Sequence, residues 1–114
     1  MNGYSGENRV ATKAEKEHYR RLVDYGCIAC RNEFNVYSEP EIHHIRSGMG
    51  TSQRADWKRT LPLCPPHHRL GRYGVAFHAG RKAWERKHGT EESLLKQLRE
   101  DLNIQGDDNA TVEA

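Results

Sequence analysis

Leu61-Pro62-Leu63-Cys64-Pro65-Pro66-His67-His68 packs a strand, a metal turn and a helix start into eight residues. Leu61 and Leu63 alternate around Pro62, the pattern of a short strand running from Trp57, and the proline confines that strand to an edge or an end. Cys64 and His67 stand three apart, and the two prolines suit the first turn of a helix. The stretch has a counterpart upstream. Cys27-Ile28-Ala29-Cys30 is a second pair with the same spacing, read here as a tight turn between elements. Two such turns, about 35 residues apart, present three thiolates and an imidazole at distances that one tetrahedral ion bridges, and that donor set suits zinc rather than magnesium or calcium. The expected structural zinc site is Cys27, Cys30, Cys64 and one of the adjacent histidines, with His67 at the matching spacing.

Working outward, Thr12-Lys13-Ala14-Glu15 has the form of a capping box, and the helix it opens presents His18, Tyr19, Leu22 and Val23 at spacings of three and four. Gly26 stands where that helix should end. Val36 to Ile45 reads as extended, with Pro40 interrupting it, and residues 47–52 as a flexible loop. On the far side, Gly71 and Gly74 keep the helix after Cys64 short. His78 to Lys87 suits another helix, ended by Gly89. Thr90 caps a last helix over 90–105, with Glu91 and Glu92 in its first turn, a core stripe of Leu94, Leu95, Leu98 and Leu102, and Gly106 as the stop. The expectation is a single α+β domain over 12–105, its metal-binding core at 27–88, with a loose arm at 1–11 and an acidic tail at 106–114.

Only 35% of the 114 residues are hydrophobic and 30% are charged. A core this small gains from a structural metal. Three cysteines cannot all pair with one another, which fits a reducing cytoplasm, and no apolar run approaches the ~18 residues of a membrane span. The net charge of +2 hides an asymmetry: residues 43–88 carry ten Lys/Arg against two Asp/Glu, while 89–114 carry two against seven. The basic block suits a polyanion such as DNA. It also holds most of the seven histidines. His43 and His44 are consecutive on an expected strand, so they face opposite ways and should do different jobs. With His68 and His78 they suggest a second metal or catalytic centre.

Cys-x2-Cys, then Glu41-Ile42-His43-His44-Ile45, then Leu61 to His68, together resemble the zinc-containing HNH endonucleases. Gly74-Val75-Ala76-Phe77-His78-Ala79-Gly80-Arg81-Lys82-Ala83-Trp84-Glu85 is similar to the recombination enhancement function branch of that superfamily, found in phages. The resemblance implies a ββα-metal fold, in which two strands and a helix grip one catalytic divalent ion: Mg²⁺, Mn²⁺ or Zn²⁺. It implies His43 and His68 as metal ligands, His78 completing the set, and His44 as general base. Lys58-Arg59-Thr60 stands where the family carries an asparagine that orients the base, a role open to Asp56, Arg59 or Thr60. The implied activity is DNA phosphodiester hydrolysis with low sequence specificity, leaving 5′-phosphate and 3′-hydroxyl ends, with the RecA filament as targeting partner. Arg59 is the candidate for added positive charge at the reaction centre. Arg46, Arg54, Lys58, Arg69, Arg72, Arg81 and Lys82 are expected to contact DNA phosphates. A monomer is expected. The competing reading is a non-catalytic zinc module that binds nucleic acid or a protein, with a redox protein built on Cys27 and Cys30 as a remote third.

Overall fold

The structure, a computed structural model, describes residues 11–45 and 57–104. The expected arm and tail, the 47–52 loop, Asp56 and the Gly106 stop lie outside those residues. Helix α1 spans Lys13–Tyr25. Its capping box is complete, since Thr12 accepts from the Glu15 amide and Glu15 accepts from the Thr12 amide; Gly26 closes it. Its buried face is His18, Leu22 and Tyr25, while Val23 is exposed. The sequence pattern pointed to Val23, but the chain turns at Gly26 and draws Tyr25 inward.

Cys27-Ile-Ala-Cys30 is not a turn between elements. Cys27 is the N-cap of α2 (Ile28–Phe34), its sulfur accepting from the Cys30 amide at 3.4 Å. One sulfur thus serves as cap and as prospective ligand. After an irregular stretch, β1 (Glu41–His44) pairs antiparallel with β2 (Thr60–Leu63), in the register Glu41 to Leu63 and His44 to Thr60. The strands are shorter than the extended patterns around them, because Trp57 and Lys58 form a turn instead of strand.

Pro66–Leu70 then forms a wide helical turn, the Gly71 amide reaching back five residues to the Pro66 carbonyl at 3.0 Å. A Cβ on Gly71 would stand 2.5 Å from that carbonyl oxygen, so the closure needs glycine. The expected helix over 78–87 divides into a 3₁₀ turn (Phe77–Ala79) and α3 (Arg81–His88), with Gly80 between them and Gly89 as the cap. Helix α4 (Glu91–Leu102) ends earlier than 105, because Asn103 takes the left-handed conformation and caps it.

The core gathers Leu22, Ile28, Ile45, Leu61, Leu63, Trp84 and Leu98, each 0–1% exposed. Strand β2 touches α1, α2 and α4, which makes it the centre of this mixed α+β fold. Among the described residues no helix is long and apolar enough to cross a membrane.

Candidate metal centres

Cys27, Cys30, Cys64 and His67 converge in a buried cluster. Helix α2 supplies the first two, the end of β2 the third, and the wide turn the fourth. The Cys30 and Cys64 sulfurs are 3.7 Å apart, and His67 Nδ1 lies 3.7, 3.5 and 3.2 Å from the sulfurs of Cys27, Cys30 and Cys64. A tetrahedral zinc, with bonds of about 2.3 Å to sulfur and about 2.0 Å to nitrogen, sets neighbouring ligands about 3.5–3.8 Å apart. The four residues therefore fit the ion. Ser38 donates to the Cys30 sulfur at 3.0 Å, and Glu33 stands 3.8 Å from His67 Nε2 while Lys87 holds its other oxygen at 3.1 Å. Burial pushes the Cys27 thiol up to about 12 and raises that of Cys30, and burial lowers His67. Metal-free, these groups are protonated thiols and a neutral ring, so binding an ion expels thiol protons and weakens as the pH falls.

His43, His68 and His78 form a second cluster, their ligand atoms within 4.8 Å of one another. They come from β1, the wide turn and the 3₁₀ turn. Adjacent His67 and His68 thus enter different centres, because consecutive side chains on a helical turn diverge. His68 Nε2 and His78 Nε2 face each other at 3.1 Å, and the His43 ring centroid lies 5.2 Å from that of His68 and 5.5 Å from that of His78. Two carboxylates stand behind these rings. Glu41 accepts from His68 Nδ1 at 2.9 Å and Glu91 from His43 Nε2 at 2.7 Å. Each fixes the tautomer of its ring, leaving a lone pair at His68 Nε2 and at His43 Nδ1 for an ion, the usual support behind metal-bound histidine. Burial, followed by the neighbouring rings of His68 and His43, lowers His78, which keeps it in its ligating form at neutral pH. The donor set fits a divalent transition ion or, with water and phosphate oxygens completing the shell, magnesium.

Glu91 was not legible as part of this centre. Read along the chain it is a first-turn acid complementing the dipole of α4; in the fold it is 2% exposed and paired with His43. Glu41, which the sequence motif includes without a role, binds Arg69 through two hydrogen bonds of 2.9 and 2.6 Å as well as His68. These partners, Arg69 first, hold the Glu41 carboxyl down at about 2.

The other expected site residues are dispersed. His44 is exposed and, by strand alternation, sits on the face opposite Glu41 and His43, across from Thr60. Thr60 is buried, bonded to the Trp57 carbonyl at 3.0 Å and to His18 Nε2 at 3.2 Å. Arg59 pairs with Glu92 of α4. Lys58, Arg69, Arg72, Arg81 and Lys82 are exposed. Arg81 bonds Glu85 at 3.1 Å and approaches the second oxygen of Glu91 at 3.4 Å. Arg46 and Arg54 lie outside the described residues.

No curated protein matches this sequence. The model of one family, "Recombination enhancement, RecA-dependent nuclease", matches residues 11–103, and that span takes in α1 through α4, the Cys₃His cluster and the histidine cluster alike: the chain belongs to that family.

Proposed function

We propose that the protein is a metal-dependent DNA endonuclease of the HNH type, with low sequence specificity, brought to its DNA target by a RecA filament. The convergence of His43, His68 and His78 from three separate segments is the observation that carries this reading. An ion bound there supplies a Lewis acid for the phosphoryl oxygen and the departing 3′ oxygen. The protein's own part is positioning and proton transfer. Three neutral imidazoles hold the ion without cancelling its charge, and Glu41 and Glu91 hold two of those rings in place. His44, next to the ligand His43 at the end of β1, has the general-base role in this reading and takes the proton from the attacking water. Lys58, Arg69, Arg72, Arg81 and Lys82 steer the phosphate backbone, and Arg59 adds positive charge, without reading bases. The Cys₃His zinc is structural in this reading, because four protein ligands leave it no open position.

The test is nicking of supercoiled plasmid with Mg²⁺ or Mn²⁺. Wild-type protein is expected to nick, and His44→Ala to lose roughly 10²–10⁴-fold in rate, the usual worth of a general base, while keeping its zinc. Undiminished cleavage by His44→Ala would remove this mechanism. The second reading, a zinc module that binds nucleic acid without cutting it, draws on Thr60 standing near the place where the family has asparagine, with its hydroxyl committed to His18 and Trp57. It predicts salt-sensitive DNA binding and no cleavage under any added ion.

A further inference from the structure

Residues 70–75 join the two turns that carry His68 and His78, and they expose apolar surface beside the cluster: Leu70 is 65% exposed, Tyr73 67% and Val75 37%. Tyr73 is not a loose side chain. A Cβ on Gly80 would lie 2.5 Å from its Cε1 and 2.6 Å from its Cδ1, so one edge of the ring rests directly on the Gly80 backbone. Gly80 follows His78 by two residues, so the ring is seated on the turn that delivers a ligand of the histidine cluster. Cations flank it in the chain. Arg69 and Arg72 precede it, Arg81 and Lys82 follow its Gly80 seat, and all four are exposed, with Arg69 ion-paired to Glu41 and Arg81 to Glu85.

We infer that Tyr73 is a stacking platform for an unpaired base of the nucleic-acid strand that passes the histidine centre. The inference rests on the nuclease reading for the strand's path, and names its substrate as single-stranded or locally opened DNA. A seated, exposed ring offers a π-face at little ordering cost, and bases of a single strand stack on such faces whatever their sequence. Bases of an intact duplex are already stacked on one another, so a duplex engages the flanking cations and leaves the ring idle. The flanking cations, Arg72 and Lys82 foremost, match phosphates, which favours a nucleic-acid strand over a protein surface as the occupant.

Binding of a single-stranded oligonucleotide and of its duplex to the zinc-loaded full chain, by fluorescence anisotropy without added divalent ion, tests this apart from cleavage. The expected result is that Tyr73→Ala weakens single-strand binding roughly 5- to 150-fold, the usual worth of one stacked base, and leaves duplex binding unchanged. Tyr73→Phe, which keeps the ring, should retain wild-type affinity. Gly80→Ala, which unseats the ring without altering it, should weaken single-strand binding. Unchanged single-strand affinity in Tyr73→Ala overturns the platform, and so does an equal loss for single strand and duplex. A Tyr73→Ala protein that binds single strands normally but loses cleavage only with a recombinase filament present overturns it too, assigning the ledge to a protein contact. Failure of the nuclease reading would show separately, as absent cleavage by wild-type protein whose single-strand preference and Tyr73 dependence persist.

Discussion

A carboxylate removed from water is costly unless its charge is met, and Glu91 is 2% exposed. His43 Nε2 at 2.7 Å and the Arg81 guanidinium at 3.4 Å meet it. In return Glu91 holds the ring whose other nitrogen is left for an ion. Replacing Glu91 with Gln keeps the volume but removes the charge that makes His43 a strong ligand. Glu91→Gln is expected to lower the affinity of the histidine cluster for Co²⁺ by about 10- to 100-fold while the zinc content stays at one per chain. Unaltered Co²⁺ affinity in a metal titration would show that Glu91 has no hold on the site. The sequence could not show this pairing. His43 and Glu91 are 48 residues apart, and an acid in the first turn of a helix has a sufficient local explanation. The cysteine set was legible for the opposite reason: each ligand pair is local, and soft donors at that spacing serve few other ends.

At the scale of elements, signals carried by neighbouring residues were read correctly. The capping box at Thr12, the end of α1 at Gly26 and the Thr90 cap of α4 are all present. Two other local signals were missed. Cys27 opens α2 because its sulfur caps the helix, and Asn103 ends α4 through a left-handed turn that asparagine tolerates. Tyr25 shows how the ends of α1 and α4 are joined. Its hydroxyl donates to Asp101 at 2.5 Å and accepts from Gln97 at 3.4 Å, and the Arg31 guanidinium lies 3.8 Å from its ring centroid. Burial first, then Asp101, raises the Tyr25 hydroxyl to about 12 from 10. The folded state therefore favours the protonated phenol. Its contribution is complete below pH 10 and is lost as the pH rises through about 12. Tyr25→Phe is expected to cost about 1 kcal/mol in urea unfolding at pH 7. It should also remove a late-ionising tyrosine from a spectrophotometric titration; a titration identical to wild type would contradict this assignment.

For the whole molecule, the α+β class and the gathering of cysteines and histidines into two clusters were legible, because these are informative residues in a short basic chain. Which imidazole points where depended on the wide turn at 66–70, a geometry without a clear sequence signal. The Cys₃His cluster joins α2 to the end of β2 and so ties the N-terminal helices to the segment that carries the histidines. Chelation of zinc is therefore expected to abolish cooperative thermal unfolding, read by near-ultraviolet circular dichroism, since metal binding and folding are one process in a domain this small. Retention of a sharp transition after zinc removal would mean that the apolar core suffices.

The central claim is that two distinct ions belong to this fold, one held by thiolates and one by His43, His68 and His78. Equilibrium dialysis of the purified protein against Co²⁺, followed by elemental analysis of zinc and cobalt, tests it most directly. Wild-type protein should hold one zinc and one cobalt per chain, and His68→Ala should keep the zinc and lose the cobalt. A single zinc with no bound cobalt in the wild type, or cobalt retained undiminished by His68→Ala, would contradict it.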